Sequence, residues 1–136
     1  MTAKNRERNI KEELEGAKKS LESAGILSEK GYDNDAVSTL YYGLLHRIKA
    51  LLLSKGLEPR SHEWAISLFG QHFVIPGIFR ASDGHVFSRL MKDGEDADYI
   101  ASYVFTKEDH GELRKDVEGL SGKILDHLQD RGYSSR

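Results

Sequence analysis

The side chains of this chain with types suited to chemistry are six histidines, a tyrosine pair at Tyr41-Tyr42, and an Asp98-Tyr99 pair. The histidines are His46, His62, His72, His85, His110 and His127. None has a histidine four residues away and none sits in a His-Glu-x-x-His arrangement, so no metal site is expected. There is no cysteine, which excludes disulfides and thiolate metal sites. No glycine-rich phosphate loop is present, no Ser-His-Asp arrangement can be read from spacing, and no cofactor is expected. His62 directly follows Ser61, an expected helix cap. Near a helix N-terminus its protonation is disfavoured, which suits a neutral donor or acceptor; the preferred reading is a structural hydrogen bond in the first turn. Tyr41 and Tyr42 read as core rings with satisfied hydroxyls, ahead of nucleotide stacking. Asp98 is flanked by apolar stripe positions and reads as a carboxylate facing either inward or a dimer seam. Such a group needs a partner, with Arg47, Arg89 and His62 as candidates, in a network that orients helices or serves function.

The elements that must position these groups are helices. The chain has 136 residues, 38% hydrophobic and 31% charged, enough for one domain with a core of its own. Its two prolines, Pro59 and Pro76, leave room for long uninterrupted helices. The first segment, about 4–29, places Ile10, Leu14, Ala17, Leu21 and Ala24 on one face, with Gly31 as its stop. The second, about 35–55, is capped by Asp33 and closed by Gly56. Its stripe of Val37, Leu40, Tyr41, Leu44, Ile48, Leu51 and Leu52 marks it as the most buried helix. The third, about 61–73, is capped by Ser61 and ended by Pro76-Gly77. The fourth, about 84–103, is capped by Asp83 and lined by Phe87, Leu90, Met91, Gly94, Ala97, Ala101 and Val104. Gly94 costs about 1 kcal/mol there relative to Ala and marks a kink, a break or the close approach of another helix. The fifth, about 107–130, opens on Thr106 with Asp109 three residues later, a capping box with Asp in place of Glu or Gln. Its seam is Leu113, Val117, Leu120, Ile124 and Leu128. No segment alternates like a strand. An all-α, up-and-down bundle of four or five helices follows, one domain over 1–131 with a frayed tail at 132–136.

A net charge of −2 argues against a general polyanion binder, since phosphate affinity needs clustered Lys and Arg. The basic residues Lys4, Arg6, Arg8, Lys11, Lys18 and Lys19 are interleaved with glutamates and read as a solvated helix face. Residues 1–15 lack the apolar core of a signal peptide. No apolar run approaches the ~18 residues that span a bilayer. A cytoplasmic protein with no membrane association is expected.

The middle of the chain carries a recognisable order: Gly31-Tyr32-Asp33, then Ala36-Val37-Ser38-Thr39-Leu40-Tyr41-Tyr42-Gly43-Leu44-Leu45-His46, Lys49-Ala50-Leu51-Leu52, Gly56, Arg60-Ser61-His62, Ser67-Leu68-Phe69-Gly70-Gln71-His72-Phe73 and Asp96-Ala97-Asp98-Tyr99. In this order they resemble the HEPN domain family in its small stand-alone prokaryotic form, over about residues 21–125. The resemblance implies a four- or five-helix bundle that forms a homodimer and is often encoded beside a minimal nucleotidyltransferase as a toxin–antitoxin pair. Active members are metal-independent ribonucleases. Their motif is an Arg followed four to six residues later by a His at the dimer interface. There Arg neutralises the phosphate, His exchanges a proton, and the ribose 2′-OH attacks.

This sequence departs from that pattern. Stand-alone members typically carry an Arg four residues before the Asp of Ala-Asp-Tyr; here the position is Gly94, and no His of the nuclease motif lies nearby. Arg80 and His85 do have the spacing, but Ala81 to Gly84 read as a loop ahead of the fourth helix. Three functions follow. The first is a dimeric module working with a nucleotidyltransferase partner, with RNA or nucleotide as candidate ligands, and without the usual nuclease site. The second is a metal-independent endoribonuclease toxin using Arg80 and His85, or Asp98 with a nearby Arg. The third is a dimeric scaffold. A dimer is expected because Tyr41, Tyr42 and stripes wider than one core requires leave apolar surface to cover.

Overall fold

In a computed structural model, residues 2–133 are described, and they form five α-helices with no strand among them. Helix α1 (Ala3–Glu29) starts at Thr2, whose hydroxyl accepts from the Asn5 amide at 3.2 Å. Its buried side is the predicted one: Ile10, Leu14, Ala17, Leu21 and Ala24, extended by Ser28. Gly31, at φ +85°, turns the chain back, a left-handed backbone that favours glycine.

Helix α2 (Asp33–Leu53) begins two residues before its expected start, and Asp33 is not its cap. Tyr32 holds that position, and the Asp33 carboxylate instead accepts from the Ser28 hydroxyl at 3.0 Å, tying the end of α1 to the start of α2. Ala50 to Leu53 are all buried, so no face of the C-terminal end meets water. This is the signature of a central helix, and α2 packs on each of the other four. Its closest neighbour is α1. A Cβ on Gly43 would stand 2.8 Å from Leu21 Cδ2, and one on Gly16 would stand 3.2 Å from the His46 ring. Beside that crossing, His46 Nδ1 lies 2.7 Å from the Glu13 carboxylate.

Helix α3 (His62–Phe69) is capped by Ser61, whose hydroxyl accepts from the Trp64 amide at 3.0 Å. The regular helix was expected to reach Phe73. It passes instead into a π-helical turn at Gly70–Val74. That wider turn re-aims the chain, and Phe69 and Phe73 then stack with centroids 6.1 Å apart. Phe79 and Phe87 complete the aromatic cluster at 5.4 Å and 6.2 Å from Phe69.

Helix α4 (Ala81–Tyr99) differs from expectation at both ends. Ala81 to Gly84 are helical, not loop, with Arg80 in the extended cap position. Asp83 is therefore the third residue of the helix. Its buried carboxylate accepts from the Arg80 amide at 3.0 Å and from Lys123 of the last helix at 3.0 Å. The helix runs unbroken through Gly94, so of the three readings of that glycine the close approach holds. It stops at Tyr99, leaving Ala101 and Val104 in an exposed strap. Asn34 fixes the strap: its amide donates to the Tyr103 carbonyl at 2.7 Å, and its carbonyl accepts from the Phe105 amide at 2.8 Å. That pair of bonds takes up backbone groups a longer helix would have used.

Helix α5 (Lys107–Asp130) opens on the predicted capping box, with Thr106 accepting from Asp109 at 3.1 Å and Asp109 from Thr106 at 2.9 Å. The seam of Leu113, Val117, Leu120, Ile124 and Leu128 is buried, with His110 and Ser121. Gly132 (φ +90°) closes the helix, and the Tyr133 amide donates to the Leu128 carbonyl at 2.9 Å. These two residues were expected in a frayed tail; the rest of that tail, 134–136, lies outside the described residues. No helix among the described residues is long and apolar enough to cross a membrane.

Candidate functional site

The structure sorts the sequence candidates into two groups, at opposite ends of α4. At its C-terminal end, Tyr41 and Tyr42 of α2 meet His62 of α3. The Tyr41 and Tyr42 rings are 5.2 Å apart, and the His62 ring stands edge-on to both, at 5.6 Å and 6.0 Å. Two local features bring them together. Consecutive residues on a helix point about 100° apart, so one tyrosine of the pair enters the core while the other stays at its rim. The Ser61 cap then starts α3 at His62, so the imidazole sits in the first turn facing that rim.

Tyr41 is core, 2% exposed, and its hydroxyl is buried with no hydrogen-bond partner among the described residues. Burial raises its pKa far above the ordinary tyrosine value, with Tyr42, Glu95 and Glu63 adding to the effect. The expectation of a satisfied hydroxyl fails here. Tyr42 is 40% exposed, and its pKa is also raised, by burial first and then by Asp98, Tyr99 and Glu95. After burial, carboxylates add to both shifts: Glu95 at each ring, with Glu63 at Tyr41 and Asp98 at Tyr42.

Gly94 explains why Tyr41 lies as it does. A Cβ on Gly94 would stand 3.0 Å from Tyr41 Cβ and 3.2 Å from its Cγ and Cδ2. The tyrosine is thus laid on bare backbone of α4, in the space the first carbons of any side chain at 94 would need. The space beside Gly94 is filled from across the helix interface by an aromatic ring.

Of the two orientations expected for Asp98, the inward one does not hold. Asp98 is exposed rather than buried, and Tyr99 is 82% exposed. The buried positions of α4 are Asp83, Phe87, Leu90 and Gly94, spaced by three and four residues. Ala97 continues that side against the core, and Asp98, one residue on and about 100° round the helix, is exposed. Arg89, one of the partners considered for Asp98, lies 3.7 Å from Asp93 instead. Asp98 acts on the site through its charge at Tyr42.

Arg80 and His85 form the second group. Both are exposed, at the start of α4. His85 borders a cleft of about 180 Å³ between α4 and α5 whose floor is Val86, Leu90, Leu113 and Val117. At about 1.5 Å of rise per residue, roughly 20 Å of helix separates them from Gly94 and Asp98. The fold therefore does not bring Arg80 or His85 to Tyr41, Tyr42 and His62.

The corner at the C-terminal end of α4 combines exposed tyrosine rings, one imidazole and three carboxylates, Glu63, Glu95 and Asp98. Rings with polar tips suit a protein interface. Negative charge disfavours a phosphate at the same spot. Among the described residues, no group of three or more His, Asp or Glu is placed to hold a metal ion.

Comparison with known proteins places this geometry in context. The model of the HEPN domain family matches residues 10–127. A protein of Methanocaldococcus jannaschii named "Putative toxin" is 35% identical over 127 residues, covering 90% of this chain and 94% of the relative. A second protein of that organism with the same printed description is 28% identical, covering 75% of this chain and 69% of the relative. A "UPF0332 protein" of Thermotoga maritima is 27% identical over 84% of this chain and 86% of its own length.

Proposed function

The chain belongs to the HEPN domain family, and from that premise we propose that it is the toxin-type member of a toxin–antitoxin pair. In this reading it is a cytoplasmic homodimer that works through protein contacts, with a minimal nucleotidyltransferase as its partner, and it lacks the usual Arg/His nuclease site. The observation that carries the reading is Gly94 pressed against Tyr41. A ribonuclease of the family design needs a cation where the phosphate sits. Here that position has no side chain, and the surroundings are acidic. The exposed Tyr42 and Tyr99 rings supply apolar area for a partner surface.

One observation favours a second reading, a metal-independent endoribonuclease. Because α4 begins at Ala81, Arg80 and His85 share one exposed helix start with the spacing the chemistry asks for. Incubation with a structured RNA in excess chelator, beside Arg80→Ala/His85→Ala, separates the two. The proposal expects no cleavage by either protein at high concentration. Cleavage by the wild type that the double variant loses would establish the second reading and overturn the first.

A further inference from the structure

The far end of the bundle gathers charge of the opposite sign. Helices α2 and α5 run parallel, and their C-terminal ends meet around a cleft of about 230 Å³ lined by Ser54, Lys55, His127, Arg131 and Tyr133. The lining carries two permanent cations and an imidazole, and no carboxylate. Lys55 and His127 are each held by contacts of their own. Lys55 Nζ sits 4.6 Å above the centroid of the Phe73 ring and donates to the His72 carbonyl at 2.9 Å. The His127 ring packs against Phe73 and Phe79 at 5.8 Å and 6.0 Å, so the aromatic cluster aims it. Arg131 is the cap residue of α5. Arg6 adds a further cation nearby: its guanidinium lies 2.9 Å from where a Cβ on Gly56 would stand.

Cations at helix C-termini ordinarily answer the helix dipoles. Two C-termini present about −0.5 charge each, which leaves Lys55 and Arg131 in surplus. Asp130 opposes them from the last position of α5. The balance is visible at His127, whose pKa is lowered by burial first, then by Arg131 and Lys55, with Asp130 pulling the other way. Asp130 does not line the cleft, so on its wall the two cations face no carboxylate, in a chain whose net charge is −2.

We infer that this cleft is a phosphoryl-binding site, taking one phosphate group of a nucleotide or of an RNA backbone on Lys55, His127 and Arg131. It is separate from the tyrosine corner and does not depend on the role proposed there. The acidic corner repels phosphate, and the cleft is where this molecule concentrates the charge to hold one. A bound phosphate adjacent to His127 favours the imidazolium, so binding raises the pH at which His127 titrates. Neutral above that pH, it contributes a hydrogen bond; protonated below it, a third charge.

The test is the titration of the histidine ring protons by NMR, in chloride and in millimolar inorganic phosphate at matched ionic strength. The proposal expects the His127 midpoint to rise by about half a unit or more, roughly a threefold gain in proton affinity. Exposed His85 should not move, and Lys55→Gln/Arg131→Gln should abolish the rise at His127 with the helical content unchanged. An unmoved His127, or equal movement of His127 and His85, would overturn it. Uridine monophosphate and a single-stranded oligouridylate without terminal phosphate then tell the sources apart. Response to the first alone identifies a phosphomonoester, and response to the second a backbone diester.

Discussion

The two ends of α4 make opposite cases. The N-terminal end carries Arg80 and His85 at a suggestive spacing, yet both side chains stand out in solvent. The C-terminal end has no such motif, yet α2, α3 and α4 converge there on Tyr41, Tyr42 and His62. Spacing along a chain places residues on a helix, and packing between helices decides whether they meet. The end that looks like chemistry in the sequence is a solvated helix start, while the end that is built sets a glycine of α4 against a buried ring.

The largest test of that contrast is Tyr41→Ala. Removing a fully buried ring should cost about 3 kcal/mol, read as a lower midpoint in urea, whereas Arg80→Ala should leave the midpoint near the wild-type value. A small loss at Tyr41 would mean that the ring does not anchor α4 on α2. A finer probe compares two helical glycines. A Cβ placed on Gly119 of α5 would have nothing within 4 Å, so Gly119→Ala should stabilise by about 0.5–1 kcal/mol through helix propensity. Gly94→Ala has the same propensity gain, but its methyl meets Tyr41 Cβ, an atom near the backbone that cannot swing aside. Overpacking costs about 1–3 kcal/mol, so Gly94→Ala should come out destabilising. If both variants gain equally, Tyr41 is not seated as described.

Tyr41→Phe sharpens the picture from the other side. The ring stays and the buried unpaired hydroxyl goes. Unsatisfied buried polar groups cost about 1–3 kcal/mol, so the variant should be at least as stable as the wild type, and by about 1 kcal/mol more stable. The smallest effect is expected at the other end of α4. Arg80→Ala/His85→Ala changes two exposed side chains, and its unfolding free energy should stay within about 0.5 kcal/mol of the wild type.

Local pattern made the helices legible. The stripe from Ile10 to Ala24, the seam from Leu113 to Leu128, the Ser61 cap and the Thr106–Asp109 box depend only on residues within a few positions of one another. Asp33 and Asp83 misled because aspartate is both a good cap and a good first-turn residue, and the choice fell to other partners, Ser28 and Lys123. The end of α4 was illegible for a similar reason. Ala101 and Val104 continue an apolar period, but Asn34, far back in the sequence, holds the chain as a strap. Asp98 stands beside the stripe position Ala97, which does pack on the core, and the step of one residue round the helix is enough to leave it exposed. Lys55 and His127 share no local signal at all; the parallel run of α2 and α5 joins them.

The claim that the tyrosine corner is a surface for protein, a second copy first of all, is tested most directly by light scattering on the purified protein at micromolar concentration, beside Tyr42→Glu/Tyr99→Glu. Both side chains reach solvent, so the double variant should fold, which its helical circular dichroism will verify. The account predicts a dimeric mass for the wild type and a monomeric one for the variant, because two added carboxylates meet Asp98 and Glu95 across the interface. A wild type that is monomeric, or a variant that remains a dimer, would contradict it.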